Sequence, residues 1–128
     1  MPPKPINPPQ IAPPASAYNH GFLTEGVRDL LTLSGQLGEA PDGACRDGAE
    51  AQSRQAWENV FAILAEAGMG PEHVVKVTSY IVGQENIAAY VAVHKELHGD
   101  RLPPWTLVCV PALGKPDYLV EIDVLAAR

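Results

Sequence analysis

The sequence predicts an α+β fold in which two helices cover one face of a mixed β-sheet. Two observations lead to this prediction. β-branched runs alternate with helical stripes of apolar residues, and the resulting order of elements is β-β-α-β-α-β-β. With 128 residues, of which 46% are hydrophobic, the chain is long enough to bury the core of one domain.

Bounds are predicted for four of these five strands, in segments rich in Val, Ile, Leu and Thr. They cover residues 30–34, 74–82, 105–110 and 119–125. Turn signals bound these segments, since Gly35-Gln36 ends the first strand and Pro103-Pro104 breaks the chain before the third.

Two helices are predicted between these strands, at about residues 47–67 and 86–98. Each carries apolar residues at helical spacing, which is typical of a helix with one buried face. On the first helix these residues are Trp57, Val60, Phe61 and Leu64. On the second they are Ile87, Tyr90, Val91 and Leu97.

The first 14 residues hold seven of the 13 prolines and are predicted to form an N-terminal arm, followed by a single domain at residues 15–128. Proline fixes φ and lacks an N–H group, so this segment favours extended geometry and is excluded from the interior of a sheet. A surface arm is favoured over a ligand for an SH3-like module.

One face of the predicted sheet has no helix to cover it. We expect the strand at residues 74–82 to present apolar side chains on this face, where self-association would remove them from water.

The charge of the chain argues against a nucleic-acid partner. The formal net charge is -6, the pI is about 5.0, and the basic residues are scattered rather than clustered on one face. Neither Cys45 nor Cys109 belongs to a CxxC pair, and no apolar run approaches the length of a membrane span. The N-terminus has no apolar signal-peptide region, so we expect a cytoplasmic protein without a membrane partner.

Several short motifs together resemble those of the Rid family (reactive-intermediate deaminases, also called YjgF). The resemblance runs from about Ile11 to Ala127, and it depends on the order and spacing of the motifs more than on any one of them. The motifs are Tyr18, Leu33-Ser34-Gly35-Gln36, Gln55 with Asn59, Ala67-Gly68, Val74-Val75-Lys76-Val77-Thr78, Pro103-Pro104 and Val120-Glu121-Ile122.

This resemblance implies a chorismate-mutase-like fold and a homotrimer with a cleft between each pair of subunits. It also implies the hydrolysis of enamines or imines to a carbonyl compound and ammonia, without a metal or an organic cofactor. Tyr18 and Glu121 match the family's catalytic positions, with Glu121 orienting water. Ser34 and Gly35 match its substrate-binding positions.

The chain departs from the family at two positions of the implied cleft. Trp105 stands where the family has an Arg that clamps the substrate carboxylate, and Leu107 stands where it often has Cys. These two residues share a parity and are expected on the same cleft wall. Because an indole offers apolar area and a stacking face in place of a bidentate charge-assisted bond, the ligand is expected to be flatter and less dependent on a carboxylate. The alternative is that Trp105 fills the cleft and abolishes the activity.

Glu121 is the carboxylate most suited to acid–base chemistry. It lies between Val120 and Ile122 in an apolar strand, where a half-buried carboxyl group can exchange protons with substrate or water. Asp123 shares its face and is expected to be exposed. Gly35 allows a ligand to approach the backbone closely.

Other residues with chemical potential are interpreted as structural. His94 and His98 have the i, i+4 spacing of a zinc pair, but the sequence is not H-E-x-x-H and supplies no evident third ligand, so we expect a surface pair and no metal site. Cys109 is expected to be a small buried hydrophobic residue.

Three functions remain open from the sequence. The first is hydrolytic deamination of an enamine, imine or related conjugated amine. The second is a homotrimer that binds a small molecule without chemistry. The third is an endoribonuclease, which the acidic pI and the absence of a basic stripe disfavour.

Overall fold

The computed structural model describes residues 1–128 and contains a five-stranded mixed sheet with two α-helices. The strands are β1 (Lys4–Ile6), β2 (Gly21–Leu23), β3 (Leu30–Thr32), β4 (Gln36–Leu37), β5 (Val74–Val82), β6 (Trp105–Val110) and β7 (Val120–Ala127). The helices are α1 (Ala49–Glu66) and α2 (Ile87–His98). Neither helix is long and apolar enough to cross a membrane.

The sheet is built around β5 and β7, which pair antiparallel. On one side β5 pairs with β6 in parallel, and α2 forms the crossover that a parallel pair requires. On the other side β7 pairs antiparallel with β3 and with β4. The α+β arrangement predicted from the sequence is confirmed.

The core lies between the helices and one face of the sheet. Trp57, Val60 and Leu64 of α1 are completely buried, as their helical spacing predicts, and Phe61 is half-buried beside them. They meet the inward-facing residues of β5 and β7, among them Val77 and Ile122. The apolar stripe of α1 therefore fixes which face of the sheet remains uncovered.

The strand bounds agree with the sequence at β5 and β6 and differ at β3. The strand predicted at residues 30–34 ends at Thr32, and a further short strand, β4, begins directly after Gly35. At this turn Gly35 lies against the Glu121 side chain, as described below. The strand propensity of residues 30–34 carries no information about this contact, because Glu121 is distant in the sequence.

Part of the proline-rich arm is a strand. Residues 4–6 pair antiparallel with residues 21–23 in a separate two-stranded sheet, and all three residues of β1 are exposed. The pairing lies at the surface, where a strand tolerates proline. The division of the chain at residues 14 and 15 stays a prediction.

The uncovered face of β5 differs from the expectation. Alternation turns Val77, Ser79 and Ile81 toward the helices, so the other face carries Lys76, Thr78 and Tyr80. The prediction that this face of β5 carries apolar residues holds for Val82 but not for Lys76 and Thr78. The polar groups on this face can form hydrogen bonds to a ligand.

The interpretation of two further residue types is also wrong. His94 and His98 are not a surface pair, because both are fully buried on the face of α2 that packs on α1. The sequence pattern missed them because imidazole counts as polar, although surrounding aromatic rings can bury it. Cys109 is exposed rather than buried, since it lies near the end of the edge strand β6.

Candidate functional site

A pocket of about 250 Å³ opens on the uncovered face of the sheet. Four structural elements supply its walls: the β3–β4 turn, β5, β7 and the loop between β6 and β7. The lining residues are Gly35, Tyr80, Leu113, Glu121 and Asp123. Asp123, expected to be exposed, is instead half-buried in this wall.

The β5–β7 ladder determines which side chains meet in the pocket. Tyr80 is the direct partner of Glu121, and Thr78 is the partner of Asp123. Directly opposed residues of an antiparallel pair project from the same face of a sheet. The ladder therefore places a phenol and two carboxylates side by side.

Gly35 lies so close to the Glu121 side chain that a larger residue at this position would displace the carboxylate. A Cβ atom built on Gly35 would overlap the carboxylate, with the carboxyl carbon Cδ only 2.8 Å away. Glycine at this turn therefore gives the carboxylate room beside the backbone. The structure thus brings together two of the residues that the sequence predicted for one site.

The pocket has an acidic character. Its lining includes no Lys, Arg or His, and neither Glu121 nor Asp123 forms an ion pair. Lys76 lies on the same face, but its Nζ atom donates a hydrogen bond to Thr106 Oγ1 at 2.9 Å. Such a site can take protons from water and hold a positively charged nitrogen.

Tyr18 and Ser34 do not line this pocket within one chain. The Tyr18 hydroxyl accepts a hydrogen bond from the Ala15 N–H at 3.1 Å, and its ring packs edge-on against His20. Ser34 is exposed, and its carbonyl oxygen accepts a hydrogen bond from the Gln36 side chain. The predicted roles of Tyr18 in catalysis and Ser34 in substrate binding stay predictions.

Trp105 and Leu107 share one side of β6, but this side faces the helices. The Trp105 indole N–H donates to Ser79 Oγ at 2.9 Å, and the ring stacks on His94 at 3.9 Å between centroids. Leu107 is the neighbour of Ser79 in the β5–β6 ladder and packs on the same core. Within one subunit neither residue reaches the Glu121 pocket, so their predicted part in substrate binding rests on a second subunit.

The two buried histidines are neutral at neutral pH. Burial lowers the pKa of His94 to about 4 and is the main cause that lowers the pKa of His98 to about 3. His94 and Arg101 lower the pKa of His98 further by charge repulsion. Three of the four ring nitrogens, His94 Nε2 and both nitrogens of His98, have no hydrogen-bond partner.

A larger pocket, of about 460 Å³, lies between the start of α1 and the β6–β7 loop. The Gln52 side chain on its wall is already occupied, because its amide donates to the carbonyl oxygens of Arg46 and Asp117 and accepts the Leu119 N–H. Burial raises the pKa of the Cys45 thiol, which disfavours the reactive thiolate. The Glu121 pocket is therefore the better candidate site, although it is the smaller of the two.

Sequence reasoning missed Tyr80 and Leu113 as pocket residues. Alternation along β5 already turns Tyr80 away from the helices, but it does not show that Glu121 lies opposite. Leu113 belongs to a loop whose path has no local signal. No group of three or more His, Cys, Asp or Glu residues is close enough to hold a metal ion.

Similarity to known proteins covers almost the entire chain. Residues 10–128 match the family model described as Endoribonuclease L-PSP. A RutC family protein of Pyrococcus horikoshii is 34% identical over 98% of this chain and 91% of its own length. A Salmonella typhimurium protein named 2-iminobutanoate/2-iminopropanoate deaminase is 32% identical over 84% of this chain and 88% of its own length.

Solved structures share the fold. YyfB, a Rid-family protein of Yersinia pestis, superposes with a TM-score of 0.87 at 27% identity over 100% of both chains. The crystal structure of E. coli TdcF with bound serine superposes with a TM-score of 0.73 at 27% identity over 98% of both chains. The resemblance identified from the sequence motifs is confirmed.

Proposed function

Because the chain belongs to the Endoribonuclease L-PSP family, also known as the Rid or YjgF family, we propose that it is a cofactor-free hydrolase that deaminates an imine or enamine. The observation that carries this proposal is the Glu121 carboxylate, which the Gly35 turn holds in an open pocket without a neutralising cation. The deaminase name of the Salmonella typhimurium relative supports the same reaction class.

Glu121 serves as the proton carrier in the proposed reaction. Its carboxylate takes a proton from water while the water oxygen bonds to the carbon of the C=N group and the π electron pair moves to nitrogen. Glu121 then gives this proton to the nitrogen. The new hydroxyl group loses its proton to the same nitrogen through the carboxylate, so that C=O forms as the C–N bond breaks and ammonia leaves with the electron pair. An imine and water thereby become a carbonyl compound and ammonia.

The acidic pocket also bears on the substrate and on the alternatives. No cation in the pocket wall is available to clamp a substrate carboxylate, which agrees with an imine that carries little negative charge. A polyanionic RNA would meet two carboxylates in a chain of net charge -6, which disfavours ribonuclease activity at this site.

The test compares Glu121→Gln with Asp123→Asn, a matched removal of charge from the same pocket wall. Glu121→Gln keeps the shape of the side chain and removes the proton acceptor, so we expect ammonia release from the best imine of a panel to fall by at least about tenfold. Asp123→Asn should stay within about threefold of the parent, because Asp123 has no proton-transfer step in the mechanism.

Two outcomes would contradict the proposal. One is a Glu121→Gln variant as active as the parent, which would place the water elsewhere. The other is a parent that releases no ammonia from any imine. If that parent still bound serine or an imine analogue in calorimetry, the binding-only alternative would replace the proposed function.

A further inference from the structure

Tyr80 differs from the other three tyrosines in its hydrogen bonding. The hydroxyl groups of Tyr18, Tyr90 and Tyr118 are engaged with Ala15, Ser79 and Glu39 respectively. The Tyr80 hydroxyl has no hydrogen-bond partner in the chain, although the residue is half-buried. The hydroxyl is not one of the buried polar atoms without a partner, and Tyr80 lines the pocket, so this group is free to bind a ligand.

Tyr80 lies beside Glu121, the residue at the proposed reaction centre. Tyr80 and Glu121 are direct partners in the antiparallel β5–β7 ladder, where opposed Cβ atoms are about 4.5–5.5 Å apart. Both side chains line the same pocket. A small group that touches the Glu121 carboxylate is therefore within reach of the phenol.

The chemistry of the proposed function requires a second polar group at this place. An ionised carboxylate only accepts hydrogen bonds, whereas a phenol also donates one. When water adds to C=N, electron density moves to the nitrogen, and a donor that points there stabilises the transition state more than the substrate. Glu121 alone does not supply this donor while it takes the proton from water.

We infer that Tyr80 is a second catalytic residue, whose hydroxyl donates a hydrogen bond to the substrate nitrogen while Glu121 activates water. The inference rests on the proposed function and adds Tyr80 to the catalytic residues predicted from the sequence. Tyr80 keeps its own proton throughout, so the balance of the reaction is unchanged. It also limits the substrate class to imines whose nitrogen has a free lone pair that can accept the hydrogen bond from the phenol.

The experiment removes one hydroxyl at a time. Tyr80→Phe keeps the ring, and we expect kcat for ammonia release to fall by at least about tenfold with KM within about threefold, as for a donor that acts in the transition state. Tyr118→Phe is the matched control, because the Tyr118 hydroxyl donates to Glu39 outside this pocket, and it should stay within about twofold of the parent in kcat. Thermal unfolding of Tyr80→Phe should match that of the parent.

Activity patterns separate this inference from the proposed function. If Glu121→Gln loses activity while Tyr80→Phe keeps it, the proposed function stands and the inference is overturned. Equal losses of kcat in Tyr80→Phe and Tyr118→Phe overturn it as well, because the effect would then not be specific to the pocket. A parent that releases no ammonia from any imine overturns both. Tyr80→His provides a second test if Tyr80→Phe unfolds more readily than the parent. This variant restores a ring N–H donor, so it should recover part of the kcat that Tyr80→Phe loses. An equal loss of kcat in both variants would contradict the inference.

Discussion

The Trp105 side chain has a structural role in this fold. Its indole N–H satisfies Ser79 Oγ, and its ring covers His94 in a nearly parallel stack, with 14° between the planes. These contacts keep the residue on the helix side of β6. Comparison with the Arg that the family has at this position implies that the chain has lost a carboxylate clamp. The contacts of Trp105 indicate instead that its ring packs against the hydrophobic core.

We predict that Trp105→Arg destabilises the protein. The guanidinium would replace an indole that packs between β6 and α2, so we expect a loss of about 2 kcal/mol or more in the free energy of unfolding. Trp105→Phe keeps a ring against His94 and loses only the hydrogen bond to Ser79, so its loss should be smaller, about 1 kcal/mol. Urea denaturation of both variants measures the difference.

A stable Trp105→Arg variant with faster hydrolysis of carboxylate-bearing imines would contradict this prediction. Such a gain would mean that the side chain at this position reaches a cleft between subunits and clamps a carboxylate there, as the resemblance implies.

The candidate site could be predicted from the sequence only in part. Glu121 and Gly35 were identified because they match the motif order of a family, and the structure brings them into contact. Tyr80 was not identified, because alternation gives the face of a residue within one strand, while the pairing register decides which residue lies opposite. Trp105 and Leu107 were correctly assigned to one side of β6, but strand parity does not tell which side faces the helices.

At the scale of elements, α2 shows how an aromatic environment replaces hydrogen bonding. His98 lies 4.4 Å from the Trp57 ring and 4.6 Å from His94, measured between centroids. Neither imidazole forms an ion pair, and after burial the groups that lower the pKa of His98 are His94 and Arg101, which both repel a positive charge on it. The packing of α2 on α1 therefore depends on both histidines remaining neutral.

This arrangement predicts a loss of stability in mild acid. In the unfolded chain both imidazoles have the ordinary pKa of 6.5, whereas in the folded protein burial lowers the pKa values to about 4 and about 3. The unfolded state therefore binds more protons below pH 6.5, so the free energy of unfolding is highest above pH 6.5 and falls as the pH drops toward 4. The slope is at most about 1.4 kcal/mol per pH unit for each histidine.

The pH dependence of urea denaturation between pH 7 and pH 4.5 tests this prediction. His98→Leu removes one of the two titrating groups and replaces ring nitrogens that lack partners, so the slope should fall by about half without a loss of stability at pH 7. Equal slopes in the parent and His98→Leu would show that His98 does not titrate as its burial indicates.

The bounds of elements follow from the sequence where local pattern and tertiary packing agree. β5 and β6 have the bounds expected from their β-branched runs, and α1 begins and ends within two residues of its expected bounds. The β1–β2 pair was not predicted, because proline suppresses the local strand signal and only the partner strand supplies the register. The same limitation applies to β4, because its two residues are a strand only through their pairing with β7.

At the scale of the whole molecule, the uncovered face of the sheet combines polar and apolar side chains. Its centre is polar, but Val108 on β6 and Leu125 on β7 remain 39% and 38% exposed on the same side as Tyr80. Together with the resemblance to a trimeric family, this partly apolar face supports our proposal that the protein forms a homotrimer with its substrate cleft at the boundary between subunits.

The trimer proposal predicts a solution mass of three times 13.7 kDa by light scattering at micromolar concentration. Val108→Asp places a charge on the uncovered face, where burial against another subunit would be costly, and should therefore yield monomers. Val27→Asp is the matched control, since Val27 is 46% exposed and lies outside the sheet, so this variant should remain a trimer.

If the cleft takes walls from two chains, the monomeric Val108→Asp variant should also lose imine hydrolysis while keeping its circular dichroism spectrum. A parent that scatters as a monomer would overturn the trimer, and an active Val108→Asp monomer would show that the pocket of Gly35, Tyr80 and Glu121 suffices within one subunit.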